Sequence, residues 1–332
     1  MYTFFQNIFN LPLLKKNNLR YNIFVEIWIN ETTALQRIII MLYTIKNTYL
    51  SLTVDSLGAQ MISIKNENGE EMLWQADKNV WGYHAPMLFP WAGRMKEGKF
   101  FVEGEEFAAA NHGFIRNVEH SLVLKEDNLI IFEYKATAES RKKFPYNFVF
   151  RTSYVLSGHS VHHKVDVTNI DSRDLGFGLG FHPGFNLPFD AEHKTEDYYI
   201  EFDTPQSPKV LTFSDRFLID GGSYIYDKYI TQIPLKDNFF ENDSLIFSEL
   251  TAKTVSIVER DTGRRIDFDV QDFPYVTLWT AATPVTKFFC IEPWISTPDR
   301  EDAPLQWDKK EHAVTLKPGE AYHILSRMKL LR

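Results

Sequence analysis

Alternation of apolar and polar positions predicts β-strands along most of the chain after residue 41. Leu50, Leu52 and Val54 alternate with polar residues, which is the period of two of a half-buried strand. Residues 129–134 and 161–167 are similar strand-like runs. Between such runs lie turn signals: Asn68-Gly69, Glu103-Gly104, Asp127-Asn128, Ser157-Gly158, Asp261-Thr262-Gly263 and Pro318-Gly319. Many short strands with regular turns predict an all-β domain, either a sandwich or a barrel-like fold.

One strand-like stretch, residues 176–188, combines a glycine run with a histidine. A period of two places Gly176, Gly178, Gly180 and His182 on one face, and places apolar residues on the other. Glycines in a strand are expected where a ligand or another part of the protein comes close. The stretch therefore predicts either a bare groove that ends at His182 or a tight contact between sheets with a structural histidine.

The domain organisation follows from where this patterning begins. Residues 1–40 are rich in Asn, Ile, Phe and Leu without a steady period, and clean β patterning starts just after Met41. No Gly/Ser/Pro-rich linker divides residues 41–332. We therefore expect one domain over 41–332, preceded by an extension, 1–40, that is not part of the core; the alternative is a genuine N-terminal helix or arm.

Charge and cysteine content narrow the possible functions. The chain of 332 residues has a net charge of −8 and no basic run, which makes nucleic acid or an anionic membrane a poor partner. No apolar run reaches the ~20 residues of a membrane-spanning helix. Cys290 is the one cysteine, so no internal disulfide can form, which fits a cytoplasmic location. The 15% aromatic content suits a sugar ligand or an ordinary β core.

Glu292 ends the apolar run Phe288-Phe289-Cys290-Ile291 and is followed by Pro293. Glutamate is seldom buried without a partner, and the proline is expected to end the strand. A carboxylate at the mouth of an apolar strand suits a general base, because burial raises the pKa of such a group. A structural salt bridge to an arginine is an equal alternative.

Three other candidates carry weaker signals. Arg94 ends the proline-rich stretch 86–94, which is expected to form a loop, and an exposed arginine is the ordinary interpretation. His112 stands beside a glycine in a loop. Asp243, in the segment 239–245, could bind a hydroxyl group or, more commonly, cap a turn.

Metal and cofactor signatures are missing from the sequence. His162 and His163 are adjacent, so they must point to opposite faces of a strand and cannot both bind one metal. The chain contains no HExxH, no CxxC pair, no glycine-rich phosphate loop and no GxSxG. We therefore expect neither a metal nor a cofactor.

Five short motifs occur in a specific order: PWAGR, NHGF, FHPGFNLPF, FENDSL and CIEPW. Each is weak alone, but together the chain resembles the aldose 1-epimerase (galactose mutarotase-like) family, closest to its LacX-like branch. The resemblance spans residues 41–332. It implies a large single-domain antiparallel β-sandwich, the galactose mutarotase-like supersandwich, with an open groove on one sheet.

The resemblance also implies roles for individual residues. Glu292 would be the general base and His182 the general acid in the interconversion of sugar anomers. Arg94, His112 and Asp243 would bind the sugar, and Trp279 would either face the sugar or lie in the core. An aldose without a phosphate, such as galactose or glucose, is expected, because Arg94, Lys96 and Arg116 form no dense basic cluster. The alternatives are a hexose-6-phosphate 1-epimerase, a glycosidase that uses Glu292 with Asp243, and a sugar-binding protein without activity.

Overall fold

A computed structural model describes residues 23–29, 36–240 and 244–331, with side chains from residue 41. The candidate Asp243 and the first 22 residues therefore lie outside the described residues. The chain divides into two compact units, residues 1–42 and 43–332. In the first unit, two antiparallel segments pair, with Ile23 opposite Leu42 and Ile29 opposite Gln36.

The described residues are mostly β-strand, as the alternating pattern predicts. The strands are β1 (Ile23–Ile29), β2 (Gln36–Lys46), β3 (Leu50–Asp55), β4 (Gln60–Asn66), β5 (Met87–Leu88), β6 (Lys99–Val102), β7 (Glu105–Ala108), β8 (Ser121–Lys125), β9 (Leu129–Lys135), β10 (Phe148–Ser157), β11 (Ser160–Asn169), β12 (Leu175–Phe177), β13 (Gly180–Phe181), β14 (Gly184–Asn186), β15 (Tyr198–Gln206), β16 (Lys209–Phe213), β17 (Ile219–Ile225), β18 (Ile230–Pro234), β19 (Ser244–Ser248), β20 (Thr254–Glu259), β21 (Arg265–Asp269), β22 (Tyr275–Trp279), β23 (Phe288–Trp294), β24 (Val314–Leu316) and β25 (Ala321–Leu331).

Within the described residues, helical structure is limited to short pieces. One α-helical turn, α1 (Ala138–Arg141), is capped by the Thr137 side chain, which accepts a hydrogen bond from the Ser140 amide. Single 3₁₀ turns occur at Lys96–Gly98, Ile115–Asn117, Thr195–Asp197 and Trp307–Lys309. None of the helices in the described part of the chain has the length and apolar character needed to cross a lipid bilayer.

Two large antiparallel sheets form most of the second unit. The first has the order β18-β15-β20-β21-β25-β11-β10-β9-β8. The second has the order β17-β16-β19-β22-β23-β13-β5, and β14 also pairs with β23. Two small two-stranded sheets, β12-β24 and β6-β7, accompany them. The fold is thus the antiparallel β-sandwich that the sequence and the resemblance predict.

The core lies between the inner faces of these two sheets. On β11, Val161, His163, Val165 and Val167 are buried and alternate with Lys164 and Asp166, which form an ion pair on the outer face. Aromatic contacts join the sheets, since the rings of His163 and Phe181 lie 4.6 Å apart. His162 and His163 are successive residues of β11, so their side chains point to opposite faces of the strand, as expected.

Three local predictions need correction. The stretch 176–188 does not form one strand; it is divided among β12, β13 and β14. Pro293 does not end its strand, because β23 continues to Trp294 and Pro293 pairs with Val276. The stretch is divided between β13 and β14 because Pro183 has no amide hydrogen for the ladder, and Pro293 is tolerated within β23 because it lies beside this break. The loop predicted for residues 86–94 also contains the two-residue strand β5.

Candidate active site

The site lies at a break between β13 and β14, two short strands that both pair with β23. On one side of the break, Gly180 of β13 is opposite Trp294; on the other, Gly184 of β14 is opposite Cys290. The register is the same on both sides, so His182 is opposite Glu292. The strand ladder is interrupted here because Pro183 and Pro293 lack the amide hydrogen that a ladder needs. The His182 amide instead donates to the carbonyl oxygen of Pro86, at 3.1 Å.

Cross-strand neighbours extend this pair into a row on one face of the second sheet. Thr277 of β22 is opposite Glu292, and Ile246 of β19 is opposite Thr277. Ile246, Thr277, Glu292 and His182 all line one pocket of about 300 Å³. When two residues are directly opposite in a sheet, their side chains lie beside each other on the same face. The strand pairing therefore sets the order of these four side chains along the pocket wall.

Glu292 and His182 form a close, buried pair. Glu292 Oε2 lies 3.3 Å from His182 Nε2, and the two side chains are 1% and 7% exposed. Burial lowers the pKa of His182 well below its ordinary value, and the nearby His112 and Arg116 charge lower it further. The imidazole is therefore neutral at neutral pH, and its protonated form, once made, is a strong proton donor.

Trp81 covers this pair from the side. Its ring stacks on the His182 ring with centroids 4.8 Å apart, and Trp279 meets His182 edge-on at 5.4 Å. A side chain at Gly184 would place its Cβ 2.8 Å from Trp81 Cζ3, so a glycine is required for Trp81 to lie this close. Ring stacking holds the imidazole in one orientation.

His112 is held in one tautomer by the backbone. Its Nδ1 accepts a hydrogen bond from the Gly93 amide at 2.9 Å, and its own amide donates to the Gly93 carbonyl oxygen, also at 2.9 Å. Burial, assisted by the charges of Arg116 and Arg94, lowers the pKa of His112 to about 3. The ring is therefore neutral, with its proton on Nε2, and it presents a hydrogen-bond donor.

Two arginines line the same pocket. The exposed Arg94 guanidinium lies over the Phe217 ring, 4.5 Å from its centroid. Arg116 Nη2 donates to the Asn111 carbonyl oxygen at 3.0 Å, and its guanidinium lies 4.4 Å from the Tyr83 centroid. Arg116 Nε is buried and has no hydrogen-bond partner in the described residues. Within that part of the chain, neither arginine is ion-paired with a carboxylate.

Two further polar atoms of the pocket wall have unused hydrogen-bonding capacity. Thr277 Oγ1 and Trp294 Nε1 are buried without a hydrogen-bond partner among the described residues. Buried polar groups are nearly always hydrogen-bonded, so such atoms in a pocket wall are suited to bind a polar ligand. Hydroxyl groups can satisfy both, since a hydroxyl donates to one atom and accepts from the other.

The structure brings Arg94, His112, His182 and Glu292 into one pocket, together with Trp279, and Asp243 is outside the described residues. Five residues that line the pocket were not predicted from the sequence: Trp81, Tyr83, Asn111, Thr277 and Trp294. Arg116 was considered only as part of a sparse basic group. Asn111 begins the NHGF motif and Trp294 ends CIEPW, so the motifs themselves contained that signal. Trp81 and Tyr83 lie in an unpatterned loop that carried no signal.

The glycine run has a packing role instead of forming a bare groove. A Cβ at Gly176 would lie 2.0 Å from His312 Cδ2, one at Gly178 would lie 2.1 Å from Ser296 Oγ, and one at Gly180 would lie 2.5 Å from Trp294 Cδ1. Side chains from the region of β23 and β24 thus fill the space beside these glycines. The tight-contact interpretation is correct for the glycines, whereas His182 lines the pocket.

The chain is similar to known proteins over most of its length. The family described as Aldose 1-epimerase matches residues 41–329. The plasmid form of Protein LacX from Lactococcus lactis subsp. lactis is 30% identical over 298 residues, which cover 83% of this chain and 99% of LacX.

Solved structures with the same fold include two from lactobacilli. A galactose mutarotase related enzyme from Lactobacillus acidophilus matches with a TM-score of 0.83 and 30% identity, over 88% of this chain and 98% of that one. A galactose mutarotase-like protein from Lactobacillus casei matches with a TM-score of 0.80 and 26% identity, over 87% and 99% of the two chains.

Proposed function

The chain belongs to the aldose 1-epimerase family, and from this premise we propose that it interconverts the α and β anomers of an aldose by opening and reclosing the sugar ring. The observation that carries the proposal is the buried pair of Glu292 and His182, 3.3 Å apart in the wall of a pocket.

The chemistry of a hemiacetal explains why such a pair is useful. Ring opening removes a proton from the anomeric hydroxyl and adds one to the ring oxygen, and both oxygens are bonded to the same carbon. A carboxylate and an imidazole side by side can therefore reach both oxygens at once. Glu292 takes the hydroxyl proton and His182 gives a proton to the ring oxygen; the aldehyde then rotates, and the reverse transfers close the other anomer. A positioned acid or base contributes roughly 10²–10⁴-fold to a rate.

These two proton transfers require that Glu292 and His182 together hold one mobile proton at the start. A neutral imidazole is a poor acid, so His182 acts as an acid only when the shared proton lies on its ring and Glu292 is ionised. The low pKa of His182 makes that imidazolium a strong donor to a weakly basic ring oxygen. Titration of such a coupled pair belongs to both groups together, and we expect a bell-shaped dependence of kcat/KM on pH.

The remaining pocket residues suit a polyhydroxylated ring. His112 offers Nε2–H, Arg94 offers guanidinium hydrogens, and Thr277 and Trp294 offer the two buried polar atoms described above. We propose that His112 and Arg94 bind sugar oxygens. Asp243 keeps its proposed role as an acceptor for sugar hydroxyls, next in sequence to Ser244 of the pocket wall.

The test is the approach to anomeric equilibrium, followed by polarimetry after dissolving crystalline α-D-glucose or α-D-galactose with the full chain. We expect a rate of anomerisation that is proportional to protein concentration and well above the rate in buffer alone. Saturable sugar binding without acceleration would identify a sugar-binding protein instead. Release of aryl alcohol from an aryl glycoside would identify a glycosidase, which needs two carboxylates roughly 5–10 Å apart.

A second candidate, an epimerase for a phosphorylated aldose, is favoured by one specific observation. The pocket holds two guanidiniums, Arg94 and Arg116, and the buried Arg116 Nε has no partner in the described residues. Guanidinium groups bind phosphate with paired, charge-assisted hydrogen bonds. Lys96, in contrast, donates to the Ala303 carbonyl oxygen and does not line the pocket.

Anomerisation of glucose and glucose 6-phosphate, measured side by side, separates the two candidates. If the substrate is unphosphorylated, as the sequence predicts, kcat/KM is larger for glucose than for glucose 6-phosphate. A preference for glucose 6-phosphate that disappears in Arg116→Gln would establish the second candidate. Arg141→Gln, in the exposed turn α1, is the control for loss of an arginine outside the pocket.

A further inference from the structure

Cys290 lies next to the proposed proton-transfer pair but has no part in the reaction proposed above. It is two residues before Glu292 on the same face of β23, and it is completely buried. One donor atom from each of His182, Cys290 and Glu292 lies within 4.8 Å of the other two. The three side chains therefore hold a nitrogen, a sulfur and an oxygen donor atom close to one another.

The spacing matches that of a zinc site. Zinc bonds of about 2.0–2.3 Å in a tetrahedron place two ligand atoms roughly 3.3–3.6 Å apart. The distance between His182 Nε2 and Glu292 Oε2 is already 3.3 Å. Because the three donor atoms lie within 4.8 Å of one another, the cysteine sulfur needs to approach by about 1.5 Å at most to complete three ligands.

We propose that His182, Cys290 and Glu292 form a binding site for Zn²⁺ or a similar thiophilic divalent cation, and that its occupation switches the protein off. Binding displaces two protons to solvent, the thiol proton and the proton that His182 and Glu292 share, because each ligand must be deprotonated. His182 and Glu292 also line the pocket, so a bound cation would lie at the pocket wall. The bound cation uses the lone pairs that the reaction requires. The inhibition rests on the proposed function, whereas the binding does not.

A second His/carboxylate cluster provides a control because its charges disfavour a cation. Asp190, His193 and Glu259 also have donor atoms within 4.8 Å of one another. There, however, the Arg264 guanidinium already bonds to both Asp190 and Glu259. A fixed positive charge occupies the position that a metal would take, so we expect no tight binding at this cluster.

Cobalt titration of the full chain tests the binding without any reference to activity. Because Cys290 is the one cysteine, a thiolate-to-Co²⁺ charge-transfer band in the near ultraviolet can report only this site. We expect the band in the unmodified protein and in His193→Gln, its loss in Cys290→Ser, and its displacement by Zn²⁺. A missing band in the unmodified protein, whose thiol and fold are intact, would overturn the proposal.

Inhibition is tested with Cys290→Ala, a buried variant outside the proposed catalytic pair, after circular dichroism has shown that it folds. We expect a basal anomerisation rate within about twofold of the parent, and a zinc concentration for half-inhibition at least about tenfold higher. Mg²⁺, which prefers oxygen ligands, is expected to leave both proteins active. Equal zinc sensitivity in the parent and Cys290→Ala would overturn the proposed switch, even where the cobalt band is present.

Discussion

Two prolines position the central pair of the site. His182 precedes Pro183 and Glu292 precedes Pro293, and the residue before a proline is restricted to extended backbone geometry. The two dipeptides lie opposite each other, so both missing amide hydrogens fall at the same gap between β13 and β14. The gap leaves room for two polar side chains to meet inside an otherwise apolar sheet.

The variant Glu292→Gln tests whether the Glu292 carboxylate is catalytic or structural. The amide keeps the shape but cannot take a proton, so we expect the anomerisation rate to fall by about 10²–10⁴-fold while the denaturation midpoint changes little. Glu259→Gln is the matched control, because Glu259 is equally buried and is ion-paired with Arg264 at 2.6 Å. It is expected to lose stability and keep its rate.

The opposite outcome would restore the structural interpretation of Glu292. Breaking a buried ion pair by removing one partner costs about 3–5 kcal/mol of stability. A Glu292→Gln protein with an unchanged rate and a sharply lowered midpoint would therefore contradict the catalytic assignment. His182→Asn is expected to behave like Glu292→Gln, because both remove one half of the same proton exchange.

Thr277→Val tests whether the unpartnered hydroxyl of the pocket wall binds sugar. Valine has the shape of threonine without the buried hydroxyl, so we expect stability to rise by up to about 1 kcal/mol. If Thr277 Oγ1 binds a sugar hydroxyl, KM rises roughly tenfold, which corresponds to one lost hydrogen bond. Stability would thus rise while the affinity for the sugar falls, whereas a general packing defect would lower both.

Thr152→Val is the matched control for this change. Thr152 is also buried in a strand, but its hydroxyl is hydrogen-bonded to His163 Nε2 at 2.8 Å. Its loss leaves the histidine without a partner, so stability is expected to fall while KM stays constant. A lower stability and an unchanged KM in Thr277→Val would show that Thr277 has no role in binding.

At the scale of elements, the glycines of β12–β14 control how closely side chains of β23 pack against them. Gly180→Ala places a Cβ 2.5 Å from Trp294 Cδ1, and Trp294 is 4% exposed and surrounded by core residues. We expect a loss of about 1–3 kcal/mol in unfolding free energy, typical of overpacking. The rate is also expected to fall, because Trp294 contacts His112 with ring centroids 5.9 Å apart.

Gly82→Ala is the matched control for this prediction. Gly82 is exposed, its φ is ordinary, and its Cβ would meet only Lys78 Cγ at 3.8 Å. A change within about 0.5 kcal/mol is expected from urea denaturation. Equal stability of Gly180→Ala and Gly82→Ala would mean that Trp294 can move away freely, and that the glycine is not required for packing.

The same elements show what the sequence could and could not predict. Strands such as β9 and β11, and the turns between them, follow from alternation and turn chemistry and were predicted correctly. The gap beside β23 was not, because it depends on which strands become neighbours, and no local pattern encodes that. His182 and Glu292 were found because each has a local signal, an apolar run and a proline. Trp81 and Tyr83 lack such a signal and reach the site through the fold alone.

At the scale of the whole molecule, buried neutral histidines make stability depend on pH. His163 is 1% exposed between the sheets, and burial lowers its pKa to about 3. The unfolded chain binds a proton near the ordinary value of 6.5, so this contribution is fully present above pH 6.5 and is lost as pH falls towards 3. The loss is about 1.4 kcal/mol per pH unit in that window.

Replacement of His163 by Gln is expected to remove this contribution. Urea denaturation between pH 6 and pH 4.5 should show a slope of stability against pH that is smaller by about one proton than in the parent. Val165→Ala, at the next inward position of β11, lowers stability without removing a titrating group and should keep the parental slope. A parental slope in His163→Gln would show that His163 does not contribute to the acid sensitivity.

We predict that residues 41–332 form the domain and that residues 1–40 are dispensable. The family match begins at residue 41, and Tyr43 and Ile45 are buried within the second unit. Tyr43 meets the Phe132 ring at 5.5 Å, and Thr44 Oγ1 lies 2.9 Å from Thr53 Oγ1. A chain that starts at Met41 keeps these contacts, so we expect its melting temperature within about 4 °C and its rate within about twofold of the full chain.

A chain that starts at residue 47 is the matched control, because it loses the two buried side chains and the threonine bond with only six more residues removed. Full burial of each such side chain contributes roughly 1.5–3 kcal/mol, so this shorter chain is expected to lose about 3 kcal/mol or more. Thermal melts and polarimetric rates of the three chains decide the boundary. If the chain starting at 41 is as unstable as the one starting at 47, residues 1–40 belong to the folded domain and the predicted boundary is wrong.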